Sequence, residues 1–198
     1  LRLSNTTTHT NAINLFANSP ISAYGNVTLS GNIDLNTSTI FLRGTSSGKV
    51  NGTIGEGDTN AIIKIDTGTW TLAGANTYSG ATIISNGTLA IQTTNALGDA
   101  ATGTTVMGNN CMTSSILSLN PSSGNLIITE PLTLQGALAG RARLIKAAGT
   151  NTYAGSINIA DIQQGVSIDV NAGILLITGD ITGSIPNNFF VRGNANGT

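Results

Sequence analysis

Apolar and polar positions alternate along this chain in short runs, each closed by Gly or Asn. Val27-x-Leu29 and Ile33-x-Leu35 show the two-residue period of strands with one buried face. The pattern is densest at Thr67–Ile91, where strands are predicted at Trp70–Leu72, Thr82–Ile84 and Thr88–Ile91 between Gly- and Asn-bearing corners. Ahead of it, strands are expected at Ala12–Phe16, Asn26–Leu29, Asn32–Leu35 and Thr39–Arg43, with Ala61–Lys64 leading into the dense stretch. Residues 93–133 are less regular, with a tight turn at Asn95–Gly98 and strands at Thr104–Met107, Ser115–Leu119 and Asn125–Thr129.

The dense stretch has a later copy. Asn76-Thr-Tyr78-x-Gly80 returns as Asn151-Thr-Tyr153-x-Gly155, a spacing that divides into three turns of about 25 residues each. Lys64 precedes the first core, and Lys146 precedes the second at a shorter distance. The copies span residues near 50–92 and 134–178. Strand, corner, strand with no intervening helix reads as an all-β parallel solenoid: one segment over 1–198, about eight turns of roughly 20–30 residues. At ~4.8 Å per strand that makes a rod about 40 Å long. Leu134, Leu138 and Ile145 also approximate a helical face, a competing local reading weakened by Gly136 and Gly140.

Composition supports the all-β class. Charged residues are 9% and aromatics 4%, against 39% hydrophobic residues and 25 Gly. Thr suits strands, Asn and Gly suit corners, and helix-forming Glu and Lys are scarce. With 8 Lys+Arg against 9 Asp+Glu there is no basic footprint for nucleic acid. No apolar run approaches the ~20 residues of a membrane helix. The single Cys111 excludes an internal disulfide. Leu1–Asn5 opens directly into a strand-like run and the chain stops in Arg192–Thr198, as if cut from something longer.

Lys64, Gly68-Thr-x-Thr-Leu72, Gly74-x-Asn76-Thr-Tyr78-x-Gly80, Thr82 and Gly87-Thr-Leu89 together resemble the autotransporter-associated β-strand repeat of bacterial passenger domains. In the second copy Lys146, Gly149, Asn151, Tyr153, Gly155 and Gly173 stand for the same motif. There the stretch from the core Gly to the closing one, Gly155 to Gly173, is much longer than its counterpart from Gly80 to Gly87. The resemblance covers just under half of the chain in detail. It implies a right-handed parallel β-helix of a bacterial cell-surface or extracellular protein, with a structural or adhesive role, no cofactor and no catalytic residues.

Sites for chemistry are few. Glu56-Gly-Asp58 is the only tight carboxylate pair, and reads as a solvated corner before it reads as a calcium or polysaccharide-cleaving pair. His9 is the only His, so a Ser-His-Asp triad would have to use it. Cys111 reads as a small buried hydrophobe. Arg141, Arg143 and Lys146 form the one basic cluster, a solvated face or an anion or carbohydrate contact. Tyr78 and Tyr153 either pack corners or stack on sugars, and Trp70 is expected inward or at a rim. Asn-x-Ser/Thr triplets at Asn5, Asn26, Asn36, Asn51, Asn86 and Asn196 follow from composition. Ice binding would need Thr-x-Thr on successive turns, and the later copy lacks it. The leading expectation is a non-enzymatic structural module; the alternative is a carbohydrate-binding or polysaccharide-cleaving β-helix, with host or matrix glycans as partners. Phe189, Phe190 and Val191 form an apolar, β-prone run unsuited to a free edge. They are expected to contact flanking turns or identical copies end to end.

Overall fold

The computed structural model describes residues 1–55, 62–99, 101–108, 113–136, 141–146, 148–160, 165–184 and 189–193. Every strand pairing among them is parallel. No described residue is helical. The chain coils through about eight turns, visiting a first nine-stranded sheet, a second nine-stranded sheet, and a third face carrying two three-stranded sheets. The first sheet runs from Arg2–Leu3 to Ile181–Ser184 and the second from Thr7–His9 to Phe189–Gly193. Along the first sheet Arg2 is in register with Ser22, and Thr104 with Leu132, so turn length varies within the expected range. The expected solenoid is therefore found.

Because each turn returns to the same register, inward positions stack in columns. In the first sheet Leu42, Lys64, Ile84, Val106, Leu134 and Ile159 share one column. In the second, Gly48, Trp70, Leu89, Leu117, Leu144 and Ile168 share another. The apolar side chains of both columns join one continuous core, each at most 1% exposed. Burying one such side chain is worth roughly 1.5–3 kcal/mol. Flanking positions such as Thr69 and Thr71 alternate outward, as the two-residue period requires.

Trp70 is fully buried, and its Nε1 donates to the Arg43 carbonyl at 2.8 Å. The ring lies on Gly48, where a Cβ would fall 2.5 Å from it. That contact explains the strand Ser47–Val50, which has no apolar alternation and was not expected. Ser19–Ala23, which includes Pro20, was likewise unforeseen; it pairs between Arg2–Leu3 and Ile40–Gly44. Backbones also approach closely where Gly31, Gly52 and Gly74 stack. A Cβ on Gly52 or Gly74 would meet the carbonyl oxygen of the glycine one turn back.

Two expectations are corrected. The helical reading near 134–148 fails: Leu132–Gln135 and Ala142–Lys146 are strands, in the first and second sheets respectively. The second repeat copy is also narrower than supposed. Asn76–Gly80 and Asn151–Gly155 do fall on the same face three turns apart. Lys146, however, closes a strand of the second sheet, whereas Lys64 closes one of the first. Gly173 precedes a third-face strand, whereas Gly87 opens a strand of the second sheet. Lys146 stands so close to Asn151 that no room remains for the second-sheet strand that separates Lys64 from Asn76.

Gly48→Ala is expected to lower stability by about 2 kcal/mol in chemical denaturation, the usual scale of core overpacking. In a Trp70→Leu background the same change should cost well under half of that. Equal costs in both backgrounds refute the ring-on-glycine contact.

Candidate functional site

The repeat residues turn inward. Lys64 stands in an otherwise aliphatic column, its side chain fully buried. Its Nζ donates to the carbonyls of Ile65, Asp66 and Asn86 at 2.9, 2.7 and 3.0 Å, so all three ammonium protons are used. Asn86 lies one turn ahead, and the cation thereby clips two successive corners together. Burial lowers the Lys64 pKa to about 8, with Asp66 offsetting part of the effect. Asp66 sits at φ 65° and binds Arg43 Nε at 3.2 Å and the Gly44 amide at 3.0 Å. Burial opposes its ionisation, but the Gly44 amide and Arg43 outweigh that and hold its carboxyl below the usual range.

On the third face side chains of the repeat bond to the backbone of neighbouring segments. Asn76 Oδ1 accepts from the Ile54 amide at 2.8 Å, and its Nδ2 donates to the Ala96 carbonyl. Asn151 does the same work, accepting from the Leu126 amide at 3.0 Å and donating to the Ala148 carbonyl at 2.9 Å. Each asparagine satisfies a backbone amide of the preceding turn. Gly80 and Gly155 follow as buried corner residues. Gly87, Gly149 and Gly173 adopt φ of 70°, 70° and 67°, the left-handed region that glycine tolerates.

Tyr78 and Tyr153 are fully buried, which removes them as sugar platforms. The Tyr78 hydroxyl shares a 2.7 Å hydrogen bond with Thr82, and Tyr153 donates to the Glu130 carbonyl oxygen at 3.0 Å. The carboxyl of Glu130, 5% exposed, accepts from Thr104 at 2.8 Å through Oε1, while Oε2 has no partner among the described residues. Burial pushes its pKa up to about 8, the Thr104 bond offsetting only part, so at neutral pH this acid is protonated. Burial likewise raises both phenols well above their usual value, with Glu130 adding to the effect. Nothing local in the sequence marks Glu130. It lies two turns along the chain from Tyr78 and one turn before Tyr153, and only the coil brings the three together.

The remaining candidates scatter. Glu56, Asp58 and Cys111 lie outside the described residues. His9 sits near the start of the second sheet, stacked on Leu29. No group of three or more His, Cys, Asp or Glu among the described residues could hold a metal. No helix among them is long and apolar enough to cross a membrane. Thr69 and Thr71 stack on Ser47 and Lys49 below, and on Thr88 and Ala90 above, so the Thr-x-Thr array does not continue. Arg143 is paired with Asp169, while Arg141 stands free of it. Phe189 and Val191 stack on inward Val166 and Ile168, whereas Phe190 stacks on Ser167 at the flank. A polar groove of about 410 Å³ opens beside the repeat corner, lined by Thr77, Asn95, Gly98, Asp99 and Thr129.

Two opposed pH effects follow. Glu130 keeps its proton in the folded chain up to about 8, but in the unfolded chain only to its ordinary 4.5. The native state therefore binds the extra proton in that window, and stability falls as pH rises through it. Lys64 acts in the opposite sense above it: the unfolded chain holds the proton from about 8 to 10.5, so stability rises there. Unfolding free energy measured across pH should pass through a minimum near 8. Glu130→Gln should flatten the falling limb, and Lys64→Met the rising one. An unchanged falling limb in Glu130→Gln contradicts the assignment. Separately, Asn76→Ala and Asn151→Ala each orphan a buried amide, and should cost about 1–3 kcal/mol in the same assay.

Residues 62–91 match the family model of the passenger-associated-transport-repeat. No curated protein and no solved structure gives a significant match. The matched stretch runs from the first-sheet strand holding Lys64 to the second-sheet strand Gly87–Ile91, a turn and a half of coil. The matched repeat and the solenoid around it fit a passenger-type surface protein.

Proposed function

We propose that this chain is a non-enzymatic structural and adhesive segment of a bacterial cell-surface or extracellular protein, and that flanking solenoid turns or identical copies join it end to end. One observation carries the reading: the polar groups of the repeat are consumed inside the coil. The donors of Lys64, the amides of Asn76 and Asn151, and the hydroxyls of Tyr78 and Tyr153 all bond to other residues of the stack. These groups of the repeat maintain its shape.

End-to-end joining is supported by the outermost rungs. Among the described residues Leu175, Ile177 and Phe189 pack on the core from one side only, and Leu3 and Ile13 do the same at the opposite end. Val191, in the inward column above Ile168, is 65% exposed. Another rung placed there would bury these side chains and pair the open strand edge. The groove beside the repeat corner favours a second reading, glycan binding. It offers one carboxylate, Asp99, and glycosidic cleavage ordinarily uses two.

Sedimentation of the purified chain should show concentration-dependent association that Val191→Asp abolishes, with the thermal midpoint of the variant unchanged. A wild-type chain that stays monomeric at high concentration rules out joining by identical copies. Release of reducing ends from polysaccharides by the purified chain would overturn the non-enzymatic reading.

A further inference from the structure

We infer that the flank of the coil at Arg141, Phe190 and Arg192 is a binding site for a carboxylate-bearing polysaccharide. Most of the arginines of the chain, namely Arg141, Arg143 and Arg192, fall on or beside two rungs of the second sheet with a single rung between them. The strands concerned are Ala142–Lys146, Val166–Val170 and Phe189–Gly193, stacked in that order. Register places Arg143, Ser167 and Phe190 in one column, with Asp169 beside Arg192.

The arginines play different parts. Arg143 is spoken for: its Nε and Nη2 donate to Asp169 Oδ2 at 2.9 and 2.7 Å, and Ser167 Oγ donates to the same oxygen at 2.9 Å. Asp169 is only 3% exposed, so this pair forms a fixed, neutral floor. Arg141 and Arg192 have no carboxylate partner among the described residues. Their guanidinium carbons lie 5.7 and 4.6 Å from the centroid of the Phe190 ring. The ring attracts each cation, but holding two on one ring sets like charges close together, which costs free energy that an incoming anion relieves.

Counting the Arg143–Asp169 pair as neutral, the flank carries two uncompensated positive charges in a chain whose net charge is −1. Both arginines are exposed and present planar donor forks, the geometry that carboxylates accept in bidentate fashion. The guanidinium carbons stand 5.7 and 4.6 Å from one ring centroid, so they are no farther apart than these two distances together. Two forks set along one flank suit successive acidic groups on an extended polymer, which can present a carboxylate to each. A nucleic acid would need many more phosphate contacts than two cations supply. A membrane surface would call for a larger basic cluster, and here the one aromatic ring is occupied by guanidiniums.

The inference deepens the surface-protein reading, on which it rests for access to extracellular glycans, and its test leaves that reading untouched if it fails. Binding of the purified chain to polygalacturonate is measured by titration calorimetry. Neutral dextran, inorganic phosphate and phosphatidylglycerol vesicles serve as comparison probes. Polygalacturonate should bind, dextran should not, and raising the salt to molar levels should abolish binding to the unaltered chain. Arg141→Gln with Arg192→Gln should weaken binding at least tenfold while the thermal midpoint stays unchanged. Arg141→Gln alone should give an intermediate loss. Undiminished binding by the double variant, equal binding of dextran, salt-insensitive binding, or binding to vesicles but not to polygalacturonate overturns the proposal.

Discussion

Everything in this molecule depends on each turn coming back into register with the one before it. In a parallel coil the inward side chain of one rung lies on the side chain at the same position of the next, so a slip of one residue would exchange inside for outside throughout the turn. The columns Leu42 to Ile159 and Gly48 to Ile168 are the result of that constraint. Turn lengths vary between rungs, yet the strands stay aligned because the extra residues enter at the corners.

The polar interior is how the corners keep that alignment. A parallel strand ladder satisfies its own backbone, but a corner leaves amides and carbonyls without partners, and buried ones are costly. Lys64 takes up three carbonyls where the first sheet turns toward the second. Asn76 and Asn151 take up amides where the third face lacks a regular strand or begins one. A cation and two amides thus replace hydrogen bonds that regular strand pairing would have made. Glu130 serves the same region at a cost, since its neutral form is the one the interior accepts.

The family match falls on this structural core. Residues 62–91 include both Lys64 and Asn76, the two groups that tie one turn to the next. The proposed contacts, at the last described rung and at the arginine-flanked Phe190, draw on the end and the flank of the coil rather than on the repeat.

Short alternating runs, abundant Gly and Asn, and the recurrence of Asn-Thr-Tyr-x-Gly were enough by themselves to determine an all-β solenoid of about this turn length. These signals are local, or recur at whole multiples of a turn. The strands at Thr69–Leu72, Thr82–Ile84 and Gly87–Ile91 were legible for the same reason. Ser47–Val50 was not, because its strand exists to place Gly48 under Trp70, a partner one full turn away. Nor could the chain alone show that Lys64 and Lys146 lie on different sheets, since that depends on how many residues each corner absorbs. Glu130 between two tyrosines, and Arg141 and Arg192 about one ring, are likewise products of stacking: contacts across turns follow the register of the coil, not the order of the residues.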